Sequence, residues 1–458
     1  MAGRDLTTGP VWRALAGVSA PMSFGILSVL SVGVVDAYFL GQLGGLPLAA
    51  IGFIYPVTAT FASLAIGLSA GTNATVSQSL GREDDPQVTS RYALHAVGLG
   101  LGLGVMVSAI VWMTSTLLFS SMGASDKVLA EIALYVPYWA LSFPLLVLMM
   151  IVNSLFRAHG NGAISAGIMM LSALVNIALN PVLIFGWGVI PELGIEGAAM
   201  ASAIGRAMAV LVSLAYAFKR GYLDFAVGFT TGLIKSVKEL VVVGAPAAFS
   251  NAINPAGMAL VTAAVATIGD AAVAGFGAAT RVQSVALVAM LALSSGVGPV
   301  VGQNWGADKK DRARTALRQC WIFCIGYGAP LAILLFIFAD VIARTIAADE
   351  ASAAFTAQYL KYVGFSLFGY GILVTTNAAM NARSKAIYSM SLSLIRIFAI
   401  YLPFAWVGVW LFGYAGILGA TVLANLLVVL GAIIAARSVG LFDTKQPLIA
   451  RPAKQIAK

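Results

Sequence analysis

The sequence predicts an all-α integral membrane protein: twelve transmembrane helices in two six-helix lobes related by a parallel pseudo-two-fold repeat. Three observations carry that expectation. Of 458 residues, 60% are apolar and only 10% charged, with a mean hydropathy of +0.93; a soluble domain is nearer 45–50% apolar and roughly 25% charged. Apolar runs long enough to cross a bilayer, about 20 residues each, recur along the chain. The second half repeats the first. This composition excludes a soluble enzyme, a DNA-binding domain and a secreted disulfide-rich fold, and no polar stretch exceeds about 20 residues, which leaves no room for a large extramembrane domain.

Spans are expected near 14–40, 48–78, 92–120, 132–156, 163–187, 194–218, 240–268, 271–303, 314–341, 356–382, 387–412 and 414–438. The first run contains Pro21 and is too long for a cleavable signal peptide. The runs lack the polar–apolar alternation of barrel strands. Twenty-one of the 27 Lys and Arg fall at the amino end, in the even-to-odd loops or in the carboxyl tail, three (Lys127, Arg344 and Lys361) in the opposite loops, and Arg206, Arg281 and Arg396 inside spans. Basic loops face the cytoplasm, so both termini are expected there, in a multi-pass protein of the inner (plasma) membrane. The net charge of +9 therefore reports topology rather than nucleic-acid binding. Cys320 and Cys324, four apart on one helix face, read as structural.

Residues 43–81 match 268–306 without a gap at an offset of 225, with ten of 39 positions identical, among them Gly71/Gly296, Gln78/Gln303 and Gly81/Gly306. Pro21 and Pro246 share that offset, and GIEGAAMAS (194–202) resembles GYAGILGAT (413–421). Both halves have six spans and start on the same side, so the repeats are parallel, an architecture suited to alternating access. The expected division is an amino-terminal lobe (1–220), a cytoplasmic linker (221–239) whose IKSVKEL stretch suits an interfacial helix, a carboxyl-terminal lobe (240–440) and a basic tail (441–458).

Of 18 acidic residues, only Asp36 lies within a span. An intramembrane carboxylate is costly and points to function; the plain alternative is a helix-end residue reaching interfacial water. It sits in the outward half, five residues or about 7 Å of rise before Gly41. Asn176 and Asn180, four apart in span five, share a face. Ser202 in span six and Asn153 in span four are further polar candidates, although such residues commonly bond a neighbouring helix. Burial beside neutral amides favours the protonated acid, which suits a proton carrier; the same hard oxygens suit sodium. Pro21 lies fifteen residues before Asp36 in the same helix and provides either a hinge or a static kink. The three intramembrane arginines are expected to snorkel or bond carbonyls, and His95 and His159 are expected at the interface. No GxxxxGK[ST] sequence, metal motif or catalytic cluster occurs, so no enzyme, ATPase, metal site or cofactor is expected.

The stretches PMSFGILSVLSVGVVDAYFLGQLG, LAAIGF, IGLSAGTNATVSQSLG, NIALNPVLIFG, PELGIEGAAMASAIG and ATRVQSVALVAMLALSSGVGPVVGQNWGA together resemble the multidrug and toxic compound extrusion (MATE) family over nearly the whole chain. The resemblance implies two V-shaped lobes and export of amphipathic, often cationic compounds in exchange for protons or sodium. It implies that Asp36 is the coupling carboxylate, with Asn176, Asn180 and Ser202 beside it, that Asp36, Asn153, Asn176 and Asn180 line the substrate cavity, and that Pro21 is the bending point. Where some members have a second aspartate this chain has Asn180. The NorM-like branch carries acids in spans seven and ten; here those spans hold Asn251, Asn254, Asn377 and Asn381. The pattern is closer to DinF-like members, which favours proton coupling. The expected activity is thus a proton-coupled secondary antiporter acting as a monomer on small amphipathic or cationic molecules. Alternatives are a sodium-coupled exporter using the same site and a lipid-linked precursor flippase, the latter favoured by arginines facing inward.

Overall fold

A computed structural model describes residues 5–347 and 349–443; most of the expected basic tail, 444–458, lies outside the described residues. The first half comprises α1 (Val11–Leu43), α2 (Gly45–Gly81), α3 (Pro86–Ser121), α4 (Asp126–Ala158), α5 (Gly162–Phe185) and α6 (Gly194–Lys219). The second comprises α7 (Leu233–Ala266), α8 (Asp270–Ala286), α9 (Val288–Gly306), α10 (Lys310–Ile346), α11 (Glu350–Val363), α12 (Leu367–Ala382), α13 (Ala386–Leu394), α14 (Leu402–Phe412) and α15 (Tyr414–Ser438). The architecture is all-helical. Among the described residues, ten helices or continuous helix pairs are long and apolar enough to cross a membrane, or eleven with α8 and α9 taken together. Helix α7 has 34 residues but is not among them; Asn251, Asn254, Pro246 and Pro255 lower its hydropathy.

Three expected single spans are interrupted. Helices α8 and α9 meet at a 48° bend. The Tyr327 hydroxyl donates to the Ala286 carbonyl at that break (3.0 Å), satisfying an acceptor that the helix ladder leaves free there. Removing the hydroxyl with Tyr327→Phe should cost about 0.5–1.5 kcal/mol, read as a lower thermal unfolding temperature in detergent. A 3-10 turn (Gly364–Ser366) separates α11 from α12. Between α13 and α14 the chain forms a seven-residue π-helical segment (Ile395–Tyr401), just before Pro403, which lacks an N–H for the ordinary ladder. The IKSVKEL stretch is not a separate interfacial helix: it forms the first turns of α7, after a 3-10 turn at Phe225–Val227. Its apolar positions continue the period of the helix that follows, so nothing breaks it off.

Two apolar cores lie in the first half, one of them joined by Leu240 of α7, and a third fills the second, to which the start of α1 (Val11, Ala14, Leu15 and Val18) also contributes. The halves meet where α1 packs on α9 and α2 packs on α7 and α9. All of this lies nearer one end of the bundle, where the 82–85, 159–161, 220–232, 307–309 and 383–385 connections cluster. We call it the basic end, since most Lys and Arg lie there.

Two backbone crossings there are reciprocal. A Cβ on Gly81 would fall on the Gln303 backbone, and a Cβ on Gly306 on the Gln78 backbone, so only glycine allows both crossings. The two glutamines then reach across. Gln78 Nε2 donates to the Ala382 carbonyl at the end of α12 (2.5 Å) and to Ser384 Oγ (3.0 Å). Gln303 Nε2 donates to the Ala158 carbonyl at the end of α4 (2.7 Å), while its Oε1 accepts from Leu6 N (3.0 Å). Each half thus satisfies a carbonyl that helix termination leaves without an intrahelical donor in the other half.

Candidate functional site

Near the end opposite the basic one, three helices converge on Asp36. It lies seven residues before the end of α1; Asn180 lies five before the end of α5, and Ser202 eight after the start of α6. Because α1 and α5 run one way and α6 the other, these counts place all three at a similar depth. Asn180 Nδ2 donates to Asp36 Oδ1 (2.5 Å) and to Asn176 Oδ1 (3.3 Å), and Asn176 Nδ2 donates to Ser202 Oγ (3.0 Å). The chain Asp36–Asn180–Asn176–Ser202 is thus continuous. Asn176 and Asn180 are buried, Asp36 and Ser202 half-buried. The nearest cation is Arg206, whose charge Asp36 feels, but the guanidinium donates to Ser142 Oγ (2.6 Å) and makes no ion pair with the carboxylate. Pro21 lies in the interior of α1, which runs as one helix through it.

Asn153 does not join this set. Helix α4 runs antiparallel to α1, and Asn153 lies 27 residues from its start at the Asp36 end. That is roughly 30 Å farther along the bundle than Asp36 at 1.5 Å per residue. Antiparallel direction, not residue type, overturns the expectation that it shares the Asp36 cavity.

Two cavities lie closer to the basic end. One of about 970 Å³ is lined by residues of both halves, including Arg82, Asp84, His159, Tyr222, Gln303 and Lys309. The other, of about 240 Å³, lies between the halves and is lined from the first by Ser69, Asn73 and Arg157 and from the second by Asn251, Asn254, Tyr370, Asn377 and Asn381, among others. The sequence reading put Arg157 in the connection after span four. The structure instead keeps it in the last turn of α4, where it donates to Ser69 Oγ and Ser165 Oγ (3.2 Å each). Its adjacency to the helix end hid this; the signal was that the apolar run continues through Leu155 and Phe156 beside it.

Arg396 is buried within the π-helical segment, donates to Asn425 Oδ1 (2.9 Å) and Asn254 Oδ1 (3.5 Å), and stands over the Tyr370 ring. Arg281 is exposed on α8. His95 and His159, expected at the interface, are buried: His95 Nε2 meets the Phe229 carbonyl at 2.7 Å, and His159 stacks on Tyr222 with Nδ1 at 2.8 Å from the Leu155 carbonyl. Cys320 and Cys324 are buried and free, and no metal-binding cluster occurs among the described residues.

A sequence profile of the MatE family matches residues 21–182 and again 246–407, two segments separated by the same 225 positions as the internal repeat. An FAD transporter of Shewanella oneidensis is 34% identical over 92% of this chain and 93% of its own. The probable multidrug resistance protein YpnP of Bacillus subtilis is 25% identical over 89% and 92%. The crystal structure of the Vibrio cholerae MATE transporter VcmN in its bent form superposes with a TM-score of 0.87 at 27% identity, covering 94% of this chain and 98% of that one. With both halves matched and the fold shared end to end, the chain belongs to the MatE family of membrane transporters, and is not an enzyme.

Proposed function

We propose that this protein is a twelve-span, two-lobed exporter of small molecules driven by protons through Asp36. The single observation that carries the reading is the Asn180–Asp36 hydrogen bond, which holds a membrane carboxylate beside neutral groups with no ion pair. The amide nitrogen of Asn180, not its oxygen, faces the carboxylate. A donor there stabilises the charged carboxylate, the form that a proton arriving from outside then neutralises. The basic end faces the cytoplasm in this reading, with both termini in that compartment and the glutamine contacts closing that face. Protonation of Asp36 from outside removes a charge from the site, and α1 bends near Pro21. Coupling follows from different substrate affinities in the two states. One proton per cycle supplies about 1.4 kcal/mol per pH unit, roughly a tenfold accumulation ratio.

The test is transport in proteoliposomes with no sodium present. A pH gradient alone should drive substrate movement, and adding sodium should leave the rate within about twofold. Movement only under a sodium gradient would overturn proton coupling.

For the substrate, a cationic drug suits the Asp36 region and the similarity to a probable multidrug resistance protein. A second reading, export of an anionic flavin dinucleotide, is favoured by the Shewanella relative and by the arginine-bearing cavity between the halves. Competition between a cationic dye and FAD for transport separates the two.

A further inference from the structure

We propose that the 240 Å³ cavity between the halves is a seat for a phosphate- or diphosphate-bearing anion, held by Arg157 and by the Asn254–Arg396 face opposite it. The assignment deepens the dinucleotide reading by naming the group recognised and the residues that recognise it.

The argument begins with charge. Arg157 lines the cavity, and Arg396 stands immediately behind its Asn254 and Tyr370 wall. No acidic residue lines it. Ion pairs join Arg82 with Asp84, Lys310 with Asp308, Arg314 with Asp311 and Lys361 with Asp340, and among the described residues neither Arg157 nor Arg396 forms one. Burying a guanidinium with neutral partners alone is expensive unless a counter-charge arrives. Arg206 differs, because Asp36 shares its field.

A purely structural role, bracing helices through Ser69, Ser165 and Asn425, explains some of the bonds but not all of the geometry. The Arg396 Nε is buried with no partner, as is Asn377 Oδ1. Arg396 also lies in a π-helical segment, a rare backbone form that is frequent at functional sites. Guanidinium groups match phosphate oxygens by planar paired donors, and Asn73, Asn254 and Asn381 supply further amides on the same walls. The volume equals about eight waters at ~30 Å³ each, enough for the charged group of a ligand whose remaining body lies outside the cavity. The lining helices α2, α4, α7, α9 and α12 meet at the junction of the halves, so a soluble phosphate is favoured over a lipid headgroup.

The test is equilibrium binding to the purified full chain in detergent, with no gradient, so the result is independent of the coupling ion. FAD is titrated and followed by flavin fluorescence polarisation, with inorganic pyrophosphate as competitor. Arg157→Gln should weaken binding about 10- to 100-fold, the loss of charge-assisted hydrogen bonds, and Arg396→Gln, which removes a charge from behind the wall, about 3- to 10-fold. Asn254→Asp, which places an acid beside Arg396, should do the same without removing either arginine, and covers the case in which an arginine variant fails to fold. Pyrophosphate should displace FAD. Wild-type affinity in folded Arg157→Gln and Asn254→Asp proteins would overturn the site while leaving export intact. Displacement by phosphatidylglycerol in nanodiscs but not by pyrophosphate would overturn the soluble source and assign the seat to a lipid headgroup.

Discussion

Asp36→Asn should yield a folded protein that no longer moves substrate in response to a pH gradient. The substitution keeps the shape of the side chain and an oxygen for the Asn180 Nδ2 donor, which now lies 2.5 Å from Asp36 Oδ1, so packing of α1 on α5 is retained. What is lost is the ability to change charge. With one intramembrane acid and an amide at position 180, the proposed cycle has no second carboxylate to take over. Gradient-driven efflux should fall at least tenfold, to the level of empty liposomes, since a pH unit is worth about 1.4 kcal/mol only if a group titrates between the two states. Substrate binding without a gradient should fall to the affinity of the protonated state, whose neutral side chain the amide mimics. The measurement is efflux from proteoliposomes under an imposed pH gradient, wild type against variant. Equal rates would remove Asp36 from the mechanism and direct attention to the second half.

Gly306→Val should produce the largest structural effect of any single substitution considered. The new Cβ falls on the backbone of Gln78, which cannot rotate away as a side chain would. Helices α2 and α9 must separate, and the Gln303–Ala158 and Gln78–Ala382 bonds open together. Overpacking costs about 1–3 kcal/mol, and each lost hydrogen bond adds about 0.5–1.5 kcal/mol. A large drop in unfolding temperature and loss of transport should follow. Gly81→Val should behave alike through the Gln303 backbone. Gly102→Ala is the control: its Cβ would meet open space, and the unfolding temperature should stay close to wild type.

Much of the fold was legible from composition and period alone, because a bilayer forces long apolar helices and leaves little else to decide. The repeat was visible for the same reason it matters: Gly81, Gln78, Gly306 and Gln303 sit where two copies of one motif cross, and any Cβ at the glycines would collide. The Asp36–Asn180–Asn176–Ser202 chain was also legible, since a spacing of four fixes one helix face and an acid in a span stands out. Breaks were not. The carbonyl left free at the bend by Leu287 is met by a tyrosine some forty residues away, and the π-helical segment precedes Pro403; neither follows from local hydropathy. Asn153 misled because residue type says nothing about depth when neighbouring helices run in opposite directions. Arg157 was hidden because one turn of helix separates a loop cation from a cavity cation.

The glutamine crossing has an electrical consequence. Gln78 and Gln303 join the halves by amide-to-carbonyl and amide-to-hydroxyl contacts, so breaking these contacts separates no ion pair. A transmembrane potential acts on displaced charge, at about 2.3 kcal/mol per elementary charge per 100 mV, and finds none in these bonds. In the proposed cycle, voltage therefore acts through the ions and solutes carried, while the glutamine contacts themselves stay electrically silent.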